Sequence, residues 1–377
     1  MSETFDVCIR GAGVVGRTLA LLLAKERLRV ALVGPHAQAT PATPDIRAYS
    51  LNSASRRVLE SVRAWPEASS ATPVVAMQVW GDDGGELRFA APAVPGPPLN
   101  WIVDVPALEQ QLAAACQYQS TIELVAAPVQ APLTLVCEGQ KSSSRSEFNS
   151  NWVEKPYGQQ AIAARLQSSQ AHCGVARQWF KAGDVLALLP LGGPSGCELA
   201  LVWSVANAQV ASLKALSQDD FCAALQAICG EAAGQLKLIS ERSCWPLNLS
   251  KAQHWVGPGW ALAGDAAHSV HPLAGQGLNL GLGDAACLAR VLAEREYWRG
   301  LGEEKLLRRY ERARKAEVAA MALVTDGLHT LFAQPAGPLQ GLRNWGMNAL
   351  AHSPPVTAWL TQRAAGSSAA AQPRATF

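Results

Sequence analysis

Charge is scarce in this chain. Asp, Glu, Lys and Arg together make up 16% of the residues against 49% that are apolar, and the formal net charge is +2. Such a chain carries a large core or an unusually apolar surface. Its near-neutral balance gives nucleic acid no electrostatic footing as a partner. The opening Met1-Ser2-Glu3-Thr4-Phe5-Asp6 lacks the basic region and apolar stretch of a secretory signal, and no uninterrupted apolar run is long enough to span a bilayer. These absences make the cytoplasm the expected compartment. The nine cysteines include no C-x-x-C pair, so they read as reduced core thiols, and neither a disulfide framework nor a metal site is expected. Internal repeats are missing too. What is present is length: 377 residues exceed what one compact core usually serves, which points to two intimately packed domains.

The most informative stretch is Gly264-Asp265-Ala266-Ala267-His268-Ser269-Val270-His271-Pro272-Leu273-Ala274-Gly275-Gln276-Gly277-Leu278-Asn279. The apolar run Trp260 to Ala263 before it reads as a short buried strand, and Leu280 to Ala286 after it opens a helix. Glycines in such a turn let backbone approach a ligand, and amides at a helix start favour a negative or electron-rich group. Asp265, at the strand end, suits the hydroxyls of a sugar or polyol. A second turn of this kind lies near the N-terminus. Phe5 to Ile9 reads as a strand, Gly11-Ala12-Gly13-Val14-Val15-Gly16 follows, Arg17 to Lys25 has helical spacing, and Leu28 to Val33 is a second strand. This is βαβ with G-x-G-x-x-G at its first turn: Gly11 for the tight turn, Gly13 for the approach of a pyrophosphate, Gly16 for helix-on-strand packing. Two positions depart from that pattern. Gly34, followed by Pro35 and His36, stands where an Asp or Glu usually binds the ribose hydroxyls; His36 reads either as a substitute or as a surface-loop histidine. Arg10 stands where a small or apolar residue is usual, with a phosphate and a nearby acid both open as partners.

Ser53 to Ala64 reads as a helix preceded by Arg47. A guanidinium there suits a pyrophosphate oxygen or caps a neighbouring helix. Val74 to Trp80 and Leu87 to Ala90 read as a hairpin around Gly81 to Gly85, Pro92 to Pro98 as irregular chain, Val105 to Cys116 as an amphipathic helix, and Ile122 to Val125 as a strand. The strand Leu133 to Val136 runs into Glu138-Gly139, with Ser142 and Arg145 beyond; the segment from Ser142 to Ser146 also reads as a plain polar loop. Trp152 to Leu191 is strand-rich, and Leu186 to Leu191 is a candidate pocket wall. His172 reads as a hydrogen-bonded sheet histidine rather than a base. Leu199 to Val205 is a strand, Phe221 to Cys229 a helix, and a long helix begins at Leu306. Leu342 to Ala351 and Val356 to Leu360 are short apolar helices suited equally to a membrane surface and to the protein's own core.

The Gly264–Asn279 string resembles the second flavin motif, Gly-Asp…Pro-x-x-Gly-Gln-Gly-x-Asn, of the single-component FAD-dependent aromatic hydroxylases, the p-hydroxybenzoate hydroxylase class. Arg47 and the Glu138-Gly139…Ser142…Arg145 series resemble that class at further points, with Glu138 where it has Asp, and the chain between Ile122 and Leu133 looks shortened by a hairpin. Tyr157-Gly158-Gln159, His172 through Phe180, Leu188-Leu189-Pro190-Leu191, Arg309-Tyr310-Glu311 and Asp326 to Phe332 are similar to the narrower ubiquinone-biosynthesis hydroxylases. The resemblance implies an α/β fold: a Rossmann-like FAD-binding domain in three parts (1–73, 101–150, 251–300), an interleaved mixed β-sheet substrate domain (74–100, 151–250), C-terminal helices (301–365) and a disordered tail (366–377).

The implied cofactor is FAD, held by Gly11, Gly13, Gly16, Arg47, Glu138, Gly139, Asp265, Gly275, Gly277 and Asn279. The amides of Gly275, Gln276 and Gly277 would face the flavin pyrimidine edge, with Pro272 near the reacting face. The implied reaction is hydroxylation, by molecular oxygen through a flavin hydroperoxide, of a polyprenylated phenol or quinol in ubiquinone biosynthesis. The hard chemistry belongs to the cofactor, in keeping with a sequence that offers no nucleophile-base pair. NAD(P)H is the family's electron donor, though Glu138 leaves room for a separate reductase. Peripheral contact with the inner membrane and membership of a quinone-biosynthesis complex are implied as partners. A catabolic phenol hydroxylase and a non-catalytic structural paralogue, the latter motivated by Gly34 and Glu138, stay open beside the leading reading.

Overall fold

The computed structural model describes residues 4–34, 45–81, 85–91, 96–269 and 277–333, with side chains described as far as Leu323. Strand β1 (Val7–Arg10), helix α1 (Val14–Lys25) and strand β2 (Val30–Val33) form the opening βαβ unit. There follow β3 (Ala48–Leu51), α2 (Ser53–Ser61), β4 (Ala71–Val74), β5 (Ala76–Trp80), β6 (Glu86–Ala90), β7 (Asn100–Asp104), α3 (Val105–Gln117), β8 (Ile122–Val125), β9 (Leu133–Val136) and the single turn α4 (Ser144–Glu147). The middle of the chain holds β10 (Trp152–Ser168), β11 (Val175–Lys181), β12 (Asp184–Pro190), β13 (Glu198–Ala206), α5 (Asn207–Ala215), α6 (Gln218–Cys229), β14 (Leu236–Leu238) and β15 (Ser243–Ala252). The last part holds β16 (Val256–Gly257), β17 (Trp260–Leu262), β18 (His268–Ser269), α7 (Gly277–Ala293) and α8 (Glu304–Ala333).

Three sheets result. The first has the order β16-β17-β9-β1-β2-β8, and all its neighbours pair in parallel except β16 with β17. Its inner strands are short and apolar because both faces are covered: Val7, Cys8, Ile9, Val30 and Ala31 are fully buried. Helix α7 packs between α1 and α8 on this unit. The second sheet runs β18-β15-β10-β13-β12-β11-β5-β6, with β14 added on β10. The third is β3-β7-β4.

One expected strand divides. The run from Val74 to Trp80 breaks at Val75, so β4 enters the three-stranded sheet and β5 pairs in parallel with β11 in the large one. Alternation along a strand sends successive side chains to opposite faces. On one face of the large sheet Ile162, Ala164, Leu166, Leu186, Leu188, Leu199, Leu201 and Trp203 pack under α5 and α6, against Phe221, Leu225 and Cys229. On the other, Ala176, Leu189 and Ala200 meet Val74, Ile102 and Ala48 of the three-stranded sheet. Arg165 ties that second face to the segment that leads into β3, donating to the carbonyls of Ile46 (2.9 Å) and Arg47 (3.1 Å). The stretch proposed as a pocket wall is thus split by its own period. Leu186 and Leu188 belong to the helix-covered core, and Leu189 and Leu191 to the opposite face.

Candidate cofactor site

The first glycine turn is shaped by contacts that a Cβ would abolish. Gly11 has φ +108, and a Cβ there would fall 2.5 Å from the Cys137 carbonyl oxygen. Gly16 lies so close under the turn that a Cβ would fall 1.9 Å from the Gly11 carbonyl oxygen, which lets α1 start directly over β1. Gly13 differs: it has nothing within 4 Å of a built Cβ. It is the N-cap of α1, and no side chain caps that end. The first amides of a helix lack intrahelical partners and carry a partial positive charge. An open, uncapped helix start beside a glycine is what a pyrophosphate needs.

The second turn lies against the first. After β17 the chain takes one 3-10 turn, Gly264–Ala266, with Gly264 at φ +63. Val15, inside the first glycine motif, packs on it: a Cβ on Gly264 would meet Val15 Cγ2 at 3.2 Å, and one on Gly281 of α7 would meet the same atom at 2.8 Å. Asp265 is open to solvent, yet burial raises its carboxyl above the usual range, with the like charge of Asp284 adding and His268 opposing. A residue on the wall of a cleft has both properties. Tyr49 of β3, whose hydroxyl pKa is raised chiefly by burial, is close enough to feel the Asp265 and Arg47 charges. Behind Asp265 lies a buried carboxylate. Asp284 accepts from the Gly264 amide (2.9 Å), His268 Nε2 (2.7 Å) and Arg314 Nε (2.7 Å). Burial alone would raise its pKa; the His268 and Arg314 contacts outweigh that and hold it low. Gly283 makes room for the Arg314 guanidinium, 2.8 Å from a built Cβ.

Several sequence-predicted residues have protein partners. Arg47 forks onto Asp45 (2.6 Å) and reaches Glu109 (3.3 Å), and these acids raise its pKa, so it is fully cationic beside β3. Glu138 accepts from Ser142 Oγ (2.7 Å), Ser144 Oγ (2.7 Å) and the Ser144 amide (3.2 Å). Burial works to raise its pKa, but those hydrogen bonds and Arg10 bring it below the usual range. The Glu138 carboxylate thus staples the segment that follows. Of the two partners open to Arg10, the acid is present: it pairs with Glu147, donates to Ser144 Oγ (3.0 Å) and lies over the Phe148 ring. Arg145 lies over Trp152, 3.8 Å from its centroid, and donates to the carbonyls of Ala266 and Gln140. Asn279, in the first turn of α7, donates to the Ser50 carbonyl (2.8 Å) and accepts from the Asn52 amide (3.0 Å) and Ser55 Oγ (2.7 Å).

Gly11, Gly13, Gly16, Asp265 and the start of α7 at Gly277 come together around the first sheet, and Gly139 and Gly277, like Gly13, face open space. Pro272, Gly275, Gln276 and His36 lie outside the described residues, as do the short apolar segments after Leu342. Gly34 has a packing reason: a Cβ there would fall 2.5 Å from that of Ala12. His172 is buried in the turn before β11. The Gly174 amide donates to its Nδ1 (3.0 Å), which leaves Nε2–H to donate to the Leu191 carbonyl (2.9 Å). All nine cysteines are free, and burial pushes the Cys116 thiol up to about 11 and that of Cys229 to about 12, which leaves both inert. Among the described residues no group of His, Cys, Asp and Glu has the makings of a metal site, and no helix is long and apolar enough to cross a membrane. Sequence reasoning missed the Asp284, His268 and Arg314 cluster. Its signal was an acid spaced with Leu280, Leu288 and Leu292 on the apolar face of a helix.

The uncapped start of α1, the open space over Gly13 and the cleft-wall carboxylate of Asp265 fit an FAD pyrophosphate and its polyol. Comparison with known proteins agrees. The family described as the FAD binding domain matches residues 101–325. Ubiquinone hydroxylase UbiL of Rhodospirillum rubrum is 29% identical over 96% of this chain and 89% of its own. Ubiquinone biosynthesis monooxygenase COQ6 of Drosophila melanogaster is 30% identical over 94% of this chain and 88% of its own. The 3-demethoxyubiquinol 3-hydroxylase of Escherichia coli is 27% identical over 92% of this chain and 95% of its own. Among solved structures, PqsL of Pseudomonas aeruginosa, a probable FAD-dependent monooxygenase, superposes with a TM-score of 0.75 at 21% identity, covering 92% of this chain and 100% of that one. The p-nitrophenol 4-monooxygenase PnpA of Pseudomonas putida gives 0.73 at 16% identity, covering 96% and 98%. These two share the fold. The chain belongs to the FAD-binding-domain family and, within it, to the FAD-dependent hydroxylases of ubiquinone biosynthesis.

Proposed function

We propose that this protein is an FAD-dependent monooxygenase that hydroxylates the aromatic ring of a polyprenylated phenol or quinol in ubiquinone biosynthesis. The observation that carries the reading is the meeting of the uncapped α1 start, the Asp265 turn and the first turns of α7 at the carboxyl ends of the inner strands β1 and β17. Bound FAD supplies the oxygen activation that no side chain of the chain offers.

The chain's own residues bind and orient. The amides at Val14 and Val15 receive the pyrophosphate. Asp265 accepts from hydroxyls of the cofactor's polyol chain. As the sequence motif implies, Pro272, Gly275, Gln276 and Gly277 would border the reacting ring, and Arg47, just before β3, and Asn279, in the first turn of α7, would support the site. The substrate ring lies over the second face of the large sheet, where cross-strand pairing lines up Trp245, Ala161, Ser204 and Val185 across four strands. NAD(P)H is the proposed reductant, and peripheral membrane contact and a multi-enzyme complex are the proposed setting. The test is the visible spectrum after FAD is added and the excess removed, followed by identification of the hydroxylated product in cells that lack and regain the gene. Loss of retained flavin in Asp265→Ala, with the fold intact, is the expected result. Wild-type protein that folds yet retains no FAD would sink the proposal.

A further inference from the structure

We infer that Asp284 is the positioning residue for Asp265, and that through this grip it sets the affinity for FAD; the inference rests on the cofactor site proposed above. The buried carboxylate is not what the fold by itself requires. Asp284 is fully buried in α7, in line with Leu280, Leu288 and Leu292. A buried ion pair is commonly no more stable than apolar residues of the same volume, because both charges must be stripped of water. An apolar residue in that line would complete the stripe.

What the carboxylate provides is a fixed point on both sides of Asp265. Its Oδ2 accepts from the amide of Gly264, immediately before Asp265, and from the ring of His268, three residues after it. The ring is clamped in turn by Trp255, stacked at 4.8 Å and 27°. The turn between closes with the Ala267 amide on the Gly264 carbonyl at 2.8 Å. The other oxygen, Oδ1, is held by Arg314 of α8, which also donates to the Leu280 carbonyl (3.0 Å) and pairs with Glu317. Asp265 accepts no hydrogen bond from the described residues, so the direction of its side chain is set by the backbone on either side. Asp284 grips that backbone at both ends, from the helix whose first turn borders the same cleft.

The test compares FAD affinity with stability in the whole protein. FAD is titrated into flavin-stripped protein, its fluorescence quenching gives the dissociation constant, and the stripped protein's melting temperature is measured beside it. Asp284→Asn and His268→Phe are expected to weaken FAD roughly tenfold or more, as removal of an outer supporting group commonly does. His268→Gln, whose amide can still donate to Asp284, is expected to stay within about threefold of wild type. Leu225→Ala, in the separate core under α6, shows what lost stability alone does; its constant is expected within about twofold, because distant sites act independently. Wild-type affinity in Asp284→Asn and His268→Phe overturns the inference. So does equal weakening in Leu225→Ala, or equal loss in His268→Gln and His268→Phe. If Asp284→Asn does not fold, the two His268 variants, which keep the carboxylate, decide. Wild-type protein that binds no FAD overturns the proposed function instead, before any variant is compared.

Discussion

Gly13 and Gly16 lie in one motif, three residues apart, yet an added methyl group at each should act on a different property. At Gly16 the new Cβ would fall 1.9 Å from the Gly11 carbonyl oxygen and 3.1 Å from its carbon. Both are backbone atoms of a turn wedged against Cys137, so no side chain can swing aside. Reaching ordinary contact requires α1 to lift by more than 1 Å or so, and overpacking of this kind costs about 1–3 kcal/mol. At Gly13 the same methyl meets nothing within 4 Å, and φ −82 is ordinary for alanine. Alanine is a poorer N-cap than glycine, while fewer unfolded conformations favour it, so the two effects leave Gly13→Ala within about 1 kcal/mol of wild type. The methyl does occupy the space proposed for the pyrophosphate. Thermal melts of flavin-stripped protein and FAD fluorescence titrations separate the two. Gly16→Ala should melt several degrees lower. Gly13→Ala should melt within about 3 °C of wild type and bind FAD at least about tenfold more weakly, by the 1.4 kcal/mol or more that loss of the phosphate contacts implies. A Gly13→Ala protein with wild-type FAD affinity would refute the location of the pyrophosphate, and an unchanged melt for Gly16→Ala would refute the close approach of α1.

Four further outcomes are expected. Asp265 has its carboxyl raised by burial, so ionisation at neutral pH costs stability, a cost absent below the ordinary Asp range; Asp265→Asn should melt higher than wild type at pH 7 but not at pH 3, while binding FAD more weakly. Glu138 has a lowered pKa, so its contribution is present above the ordinary Glu range and lost as pH falls through it; Glu138→Gln should cost about 1 kcal/mol at pH 7, discounted for its partial exposure, and converge with wild type in acid melts. Asn279→Ala strands the Asn52 amide and the Ser50 carbonyl and should cost about 2 kcal/mol in denaturant unfolding. Asp184, raised by burial to about 6, should make Asp184→Asn more stable than wild type at pH 8, a gain that disappears as pH falls through 6 toward 4.

The cofactor elements were legible because their chemistry is local. A G-x-G-x-x-G between apolar strands states its own turn, and the strands at Val7, Val30, Ile122 and Leu133 fall where the apolar runs put them. The break at Val75 was not legible, since Val74 to Trp80 is one β-prone run and only the competing partners β7 and β11 divide it. Arg47 shows the limit of reasoning by residue type. The sequence makes it a cation near a cofactor motif, but Asp45 and Glu109 as its partners depend on the packing of α3 against α1 and β7. Asn279 was read as a cofactor contact, and its amide ties α7 to β3 and α2 across more than two hundred residues. Asp284 was visible as a breach of periodicity, but Gly264 and His268 become its partners only once the β17 turn folds back on α7.

The seat of Val15 against Gly264 and Gly281 also bears on how the protein is made. The first glycine motif leaves the ribosome early, but the surface that covers it belongs to the turn after β17 and to α7, near the other end of the described chain. At about 5–20 residues per second, some tens of seconds pass before those elements emerge. During that time β1 has β2 beside it with β8 beyond, and then β9 on its other side, while the Val15 side of α1 waits uncovered. The large sheet, complete by then except for β18, can fold first. The nucleotide-binding half is completed only when Gly264 and Gly281 have emerged to cover Val15, so a nascent chain halted before Leu262 is expected to retain no FAD however complete its first motif.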